Sequence, residues 1–291
     1  METTTSHLPT DMSHADARRG VRARLSYLAS HARDPVSYAY TPPPGVPWES
    51  ADYTVHDTFI ADAGAWRELD IDTNGFELRD APTALRNPGD ADEIEAICYA
   101  EAVELALEVT GGTHAYVFDH LVRERDPARA TLDFGRAARG ATPAANGRIH
   151  NDYTEVSGRR RLSMVLHDSD LIPFARHFSI INIWRSLRGV IEDTPLAVVD
   201  ARSVAREDLV RGEVRYPRRT GEIYLMRHNP AHRWCYFPQM DRHHALVFKQ
   251  FDSRTGGVAR FTPHTAFDLP DIRPGAPLRQ SLEIRCLVVH A

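Results

Sequence analysis

Arg148-Ile149-His150-Asn151-Asp152-Tyr153 is the stretch on which the reading of this chain turns. In an extended strand alternate residues share a side, so His150 and Asp152 project from one face. An imidazole and a carboxylate placed that way are two neighbouring donors for one metal. The spacing by itself is cheap, since His14-Ala15-Asp16 repeats it in a polar N-terminal tail. Its bland alternative is an exposed turn with a surface histidine and an Asp cap.

A second stretch far downstream, Phe261-Thr262-Pro263-His264, supplies a lone histidine. Two imidazoles and one carboxylate on one side of a metal leave the opposite side open, the facial triad that holds non-haem Fe(II). His150, Asp152 and His264 are therefore the expected metal ligands. His232 is the rival for the third position, although its setting, His232-Arg233-Trp234-Cys235-Tyr236-Phe237, reads better as a packed pocket wall. His228 lies four residues before His232, but Pro230 between them spoils a helical two-histidine site.

Outward from the triad, the second half of the chain reads as strands. Candidates are Ala115–Val122, Leu162–Leu166, Ser179–Trp184, Ala197–Asp200, Glu222–Met226, Ala245–Phe251 and Leu282–His290, short and rich in β-branched and aromatic residues. Upstream, Ala17 to His31 carries Val21, Leu25, Leu28 and Ala29 at spacings that predict an amphipathic helix. Thr41-Pro42-Pro43-Pro44-Gly45 forces an extended connection. The next stretch, to Arg79, is irregular apart from a strand candidate at Tyr53–Ile60. A second helix is better marked: Asp90-Ala91-Asp92-Glu93 caps it, Ile94, Ile97, Cys98, Ala102, Leu105, Ala106 and Val109 repeat at helical spacing, and Gly111-Gly112 ends it. The sequence thus predicts an α+β fold, a jelly-roll core with N-terminal helices packed outside. Residues 1–15 form a disordered tail, and 16–291 a single domain with a helical or irregular layer (16–112) and a β core (113–291).

The 291 residues allow an ample core. A net charge of −5 gives nucleic-acid binding no electrostatic support. The runs Arg159-Arg160-Arg161 and Arg218-Arg219 read as solvated faces or turn flanks. Three scattered cysteines fit reduced thiols in a cytoplasm, not a disulfide framework. No apolar run is long enough to span a membrane, and the N-terminus lacks a signal-peptide pattern. The expected partner is a small-molecule substrate; the oligomeric state is not written in the sequence.

Arg279-Gln280-Ser281 opens the last strand, placing a guanidinium and a hydroxyl on one face. Together they suit the distal carboxylate of a dicarboxylic co-substrate. Arg285, six positions on, is the reserve for that role. Trp184 and Arg185 sit on a core strand, and one of them should face the cavity. Tyr153, Arg185, His232 and Trp234 complete the pocket candidates.

These blocks carry a family resemblance. Asn182-Ile183-Trp184-Arg185-Ser186-Leu187, Pro195 to Asp200, His232 to Pro238, Phe248 to Ser253 and Ala259 to Phe267 resemble the Fe(II)/2-oxoglutarate-dependent oxygenases with a double-stranded β-helix core. Within these, they resemble the hydroxylase/desaturase family that includes the cephamycin C7-hydroxylation component and aspergillic-acid-type enzymes. The likeness runs from about Ala115 to the C-terminus. It implies Fe(II), 2-oxoglutarate and O₂, with C–H hydroxylation or desaturation of a small specialised metabolite, as in antibiotic biosynthesis. Arg185-Ser186 stands where the family has Arg-Pro. Two other readings remain at this stage: a 2-oxoglutarate-independent metal isomerase or dioxygenase on the same core, and a non-catalytic jelly-roll metabolite binder. Segments Thr41–Arg79, Arg202–Arg219 and Thr255–Arg260 are expected to form the pocket.

Overall fold

Two sheets face each other across an interior of apolar clusters and buried polar groups. The computed structural model describes residues 19–290 except 67, 129–131, 133, 135–141 and 168–175; the proposed tail, 1–15, lies outside the described residues. The strands are β1 (Gly20–Leu28), β2 (Val36–Tyr38), β3 (Tyr53–Asp62), β4 (Phe76–Asp80), β5 (His114–Glu124), β6 (His150–Asn151), β7 (His177–Ser186) and β8 (Leu196–Val199). They continue as β9 (Leu209–Arg215), β10 (Thr220–Met226), β11 (Trp234–Tyr236), β12 (His244–Asp252), β13 (His264–Ala266) and β14 (Gln280–His290). One sheet has nine strands in the order β1-β3-β11-β8-β13-β6-β10-β9-β2, the other five in the order β4-β12-β7-β14-β5. From β5 onward the chain crosses repeatedly between the sheets (β5, β7, β12 and β14 in one; β6, β8, β11 and β13 in the other), which is the winding of a jelly roll.

Strand alternation decides what each face of the five-stranded sheet carries. Ile181 and Ile183 of β7 point outward with Leu282, Ile284, Cys286 and Val288 of β14. The helical run α1 (Ala91–Glu93), a π-helical stretch Ile94–Cys98 and α2 (Tyr99–Thr110) covers them through Ile94, Cys98, Ala102, Leu105 and Ala106. Asp90 caps its start by accepting from the amides of Asp92 and Glu93, and Gly111 ends it at φ 66°. Inward, β7 and β14 present Asn182, Trp184, Ser281, Glu283 and Arg285. Polar side chains on the inner face of a buried sheet need partners, and these line the site.

The N-terminal segment departs from expectation. Gly20–Leu28 is a strand, not a helix, paired antiparallel with β3 along its whole length. Its buried apolar residues Ala23, Leu25 and Tyr27 alternate with period two, and the helical spacing of Val21, Leu25 and Leu28 is coincidental. The region before residue 112 is consequently more than a helical or irregular layer: besides the helical run 91–110 it gives β1, β2 and β3 to one sheet and β4 to the other. Leu162–Leu166 is not a strand either. It ends α3 (Glu155–Val165), which opens on a capping box in which Thr154 and Ser157 satisfy each other's backbone amides. Gly158 lets α3 lie close against the sheet: a Cβ there would fall 2.5 Å from the Phe251 ring.

Candidate metal centre

β6 holds only His150 and Asn151, yet it is fixed on both sides, pairing with Leu225 of β10 and with His264 of β13. His264 is thus the direct cross-strand neighbour of His150, and their ring centroids lie 4.4 Å apart. Donor atoms of His150, Asp152 and His264 all fall within 4.8 Å of one another. Among the described residues no other group of three such side chains converges this way.

Each donor is oriented from behind. His150 Nδ1 donates to the Arg148 carbonyl at 2.8 Å, an assignment that makes Nε2 the acceptor nitrogen, 3.4 Å from Asp152 Oδ1 and 3.4 Å from the Asn146 side-chain amide. Asp152 Oδ2 accepts from Asn182 Nδ2 at 2.9 Å and from Arg285 Nε at 3.1 Å, so the opposite oxygen is the one offered. Asn151 donates to the Gln250 and Tyr153 carbonyls and accepts from the Thr262 amide. Gln250 accepts from the Asp152 amide at 2.7 Å and donates to the Thr262 carbonyl at 3.1 Å. These two amides lock the His150–Asp152 segment to the loop that brings in His264.

The charge states suit a metal. Burial, then the charge of His150, pushes His264 down to about 3, so its imidazole is neutral. Burial works to raise Asp152, but Arg285 and the two histidines outweigh it and hold the carboxyl well below its usual range. Two imidazoles and a carboxylate are the donors that ferrous iron takes in a facial triad.

The two arginines differ in their pairing. Arg285 is saturated with carboxylates: Asp152, Asp119 at 2.8 Å and Glu283 at 2.6 Å. Arg279 is 3% exposed; Nη1 donates to the Thr194 carbonyl at 2.8 Å, while the buried Nε has no partner among the described residues. Its guanidinium sits 5.7 Å from the centre of the Trp184 ring. Burial, then the nearby charge of Arg123, lowers it to about 10. A buried guanidinium with an unspent donor is a place for an anion.

The family described as an oxidoreductase/YMDC permease-like domain matches residues 25–289. The chain belongs to that oxidoreductase family. The hydroxylase/desaturase efuI of Hormonema carpetanum is 32% identical over 240 residues, 76% of this chain and 79% of that protein. The Fe(II)/2-oxoglutarate-dependent dioxygenase nvfI of Aspergillus novofumigatus is 26% identical over 264 residues, 88% and 91% of the two chains. A solved structure of the iron and alpha-ketoglutarate-dependent endoperoxidase NvfI superposes with a TM-score of 0.80 at 23% identity, covering 94% of this chain and 99% of that one. That likeness establishes the fold. No helix among the described residues of this oxidoreductase is long and apolar enough to cross a membrane.

The other expected site residues of the oxidoreductase separate by face. Trp184 packs inward beside Phe248 and Val198. Tyr153 lines a cavity with Asp152 and Arg285, and burial pushes its phenol up to about 12, so it stays protonated. Arg185 points the other way, donating to the Ala81 carbonyl beside Glu101 of α2. His232 bonds Asp208 at 3.0 Å and stacks on Tyr27. Trp234 donates to the Tyr27 hydroxyl at 2.6 Å within a separate core cluster. Neither His232 nor Trp234 reaches the triad. Sequence reasoning missed Asn182, Gln250 and the carboxylate clamp of Arg285. Asn182 was within reach: it stands two residues before Trp184, hence on the same face.

Proposed function

We propose that this chain couples 2-oxoglutarate decarboxylation to hydroxylation or desaturation of a C–H bond in a small specialised metabolite, with iron held by His150, Asp152 and His264. The observation that carries the reading is the convergence of those three donors within 4.8 Å, each braced from behind. Fe(II) bound there, with 2-oxoglutarate and O₂, supplies the oxidising power for C–H cleavage.

The chain's own groups do the positioning. Asn182 and Arg285 hold Asp152 Oδ2, so that Oδ1 faces His150 Nε2. Arg279, its Nε unspent, anchors the distal carboxylate of 2-oxoglutarate, with Ser281 beside it on β14 and Trp184 as a wall. Arg285 serves Asp152 rather than the co-substrate, because each of its three nitrogens is already engaged by a carboxylate. The reading treats 16–291 as one oxygenase domain acting in the cytoplasm on small molecules. The test is succinate release by the Fe(II)-loaded chain, screened against amino-acid-derived metabolites and small peptides. Turnover stimulated by one of them and abolished in Asp152→Ala supports the proposal; succinate release unchanged in Asp152→Ala refutes it.

A further inference from the structure

We infer that the substrate of this site is a carboxylate-bearing molecule whose charged end is held by Arg161 and Arg219, on the wall of the cavity that opens beside Asp152. The inference rests on the proposed function for what happens at the iron, and on the cavity alone for what binds.

The cavity, of about 280 Å³, begins at Asp152 and Arg285 and runs outward between α3 and the β9–β10 hairpin. α3 leaves the metal segment immediately after Tyr153, and its Ser157, Arg160, Arg161 and Met164 line the cavity. Those positions are spaced 0, 3, 4 and 7, which is a single helix face. An arginine run that looks like a solvated surface in sequence therefore puts two of its three members on the wall of the cavity.

Charge pairing inside the cavity is uneven. Of the acids that line it, Asp119 and Asp152 are both bound to Arg285. Glu222 is bound to the Thr154 hydroxyl and to Arg211. Arg160, Arg161 and Arg219 make no ion pair with any described residue. Three guanidinium groups with no carboxylate stand out in a chain whose net charge is −5.

Two of the three are held in place by rings. The Arg161 guanidinium lies 4.7 Å from the centre of the Phe118 ring and 5.7 Å from that of Tyr153, and its Nε is buried without a partner among the described residues. Arg219 lies 4.0 Å over Tyr216. Stacking on a ring fixes the guanidinium plane while its N–H donors lie along the edge, the geometry that a planar carboxylate meets with two parallel bonds; Arg161 also bonds the Tyr153 hydroxyl. The same lining includes Tyr153, Met164, Val214 and Ile223, which offer surface to a hydrocarbon body. The cavity thus fits a small amphiphilic acid, anion outward and carbon skeleton toward the metal.

The test uses the full chain loaded with Fe(II) under argon and saturated with 2-oxoglutarate, so that the co-substrate position is filled. Naphthalene-2-acetate and naphthalene-2-acetamide, equal in shape and differing in charge, are titrated by calorimetry. The expected result is at least tenfold tighter binding of the acid. Arg161→Gln or Arg219→Gln should erase most of that preference and leave amide affinity unchanged; Arg161→Lys should keep part of it. Equal binding of acid and amide would overturn the inference, as would a preference that survives both glutamine variants. A preference that vanishes once 2-oxoglutarate is saturating overturns it too, since the arginines would then serve the co-substrate. The same titration on metal-free protein separates the two proposals: an acid preference dependent on Arg161, in a chain that takes up no iron, would sink the oxygenase reading and leave this one standing. Should Arg161→Gln fail to fold, Arg219→Gln on the exposed hairpin carries the test.

Discussion

Replacing Arg285 with methionine should separate a braced metal ligand from a merely adjacent one. The guanidinium, 15% exposed, binds Asp152 (13%), Glu283 (9%) and the half-exposed Asp119. Methionine fills much of the volume but leaves two buried carboxylates without their cation. Removing one partner from a buried ionic group costs about 3–5 kcal/mol, whereas the exposed Asp119 pair adds about 0–1 kcal/mol. At roughly 2 °C per kcal/mol for a domain of this size, the melting point of metal-free protein should fall by about 6–10 °C. Glu283→Gln in the same chain removes one of the stranded charges, so the double variant should recover part of the loss. A double-mutant cycle by denaturant unfolding reads the coupling directly. Iron affinity should also fall by about ten- to a hundredfold, because Asp152 loses a group that holds its second oxygen. A stability loss below about 1 kcal/mol, or strict additivity with Glu283→Gln, would refute the clamp.

Other perturbations probe the supporting structure. Gly158→Ala gains helix propensity of about 1 kcal/mol, yet its Cβ would meet the Phe251 ring at 2.5 Å; a net loss of about 1–2 kcal/mol is expected by urea unfolding. Arg279→Gln should weaken 2-oxoglutarate binding at least tenfold while Fe(II) affinity holds, both by titration under argon. Asp252 is fully buried; burial works to raise its pKa, but bonds from Arg254 and Lys249 outweigh it and hold it below the usual range. A depressed folded-state pKa contributes stability present above the unfolded carboxyl value of about 4 and lost as pH falls through the folded value. Asp252→Asn should therefore be less stable at pH 7 and show a flatter loss of stability in acid, measured by urea unfolding against pH.

The legible parts of this chain were those where one periodicity acts alone. β7, β12 and β14 are buried runs of Ile, Val, Leu and Phe bounded by turns, and the α2 run carries a cap, a stripe and a stop. The reading of His150 and Asp152 rests on a two-residue strand repeat joined to the downstream His264, although β6 itself ends at Asn151. β1 was misread because Val21, Leu25 and Leu28 satisfy helical spacing while Ala23, Leu25 and Tyr27 satisfy strand spacing, and pairing with β3 decides between them. α3 was misread because Leu162, Val165 and Leu166 make a short apolar run that period alone cannot assign. That error concealed Arg161, whose face is defined only once residues 157, 160, 161 and 164 are known to lie on a helix. The sequence favours Arg279 over Arg285 because Ser281 accompanies it; that Arg285 is engaged by Asp152, Asp119 and Glu283 is visible only in three dimensions.

The most direct test of the account is the weak metal-to-ligand absorption band formed anaerobically by Fe(II) and 2-oxoglutarate. The wild-type chain should develop it at one iron and one 2-oxoglutarate per chain, and His264→Ala and Asp152→Ala should each abolish it while His232→Ala retains it. A full-intensity band in His264→Ala, with loss in His232→Ala, would contradict the triad.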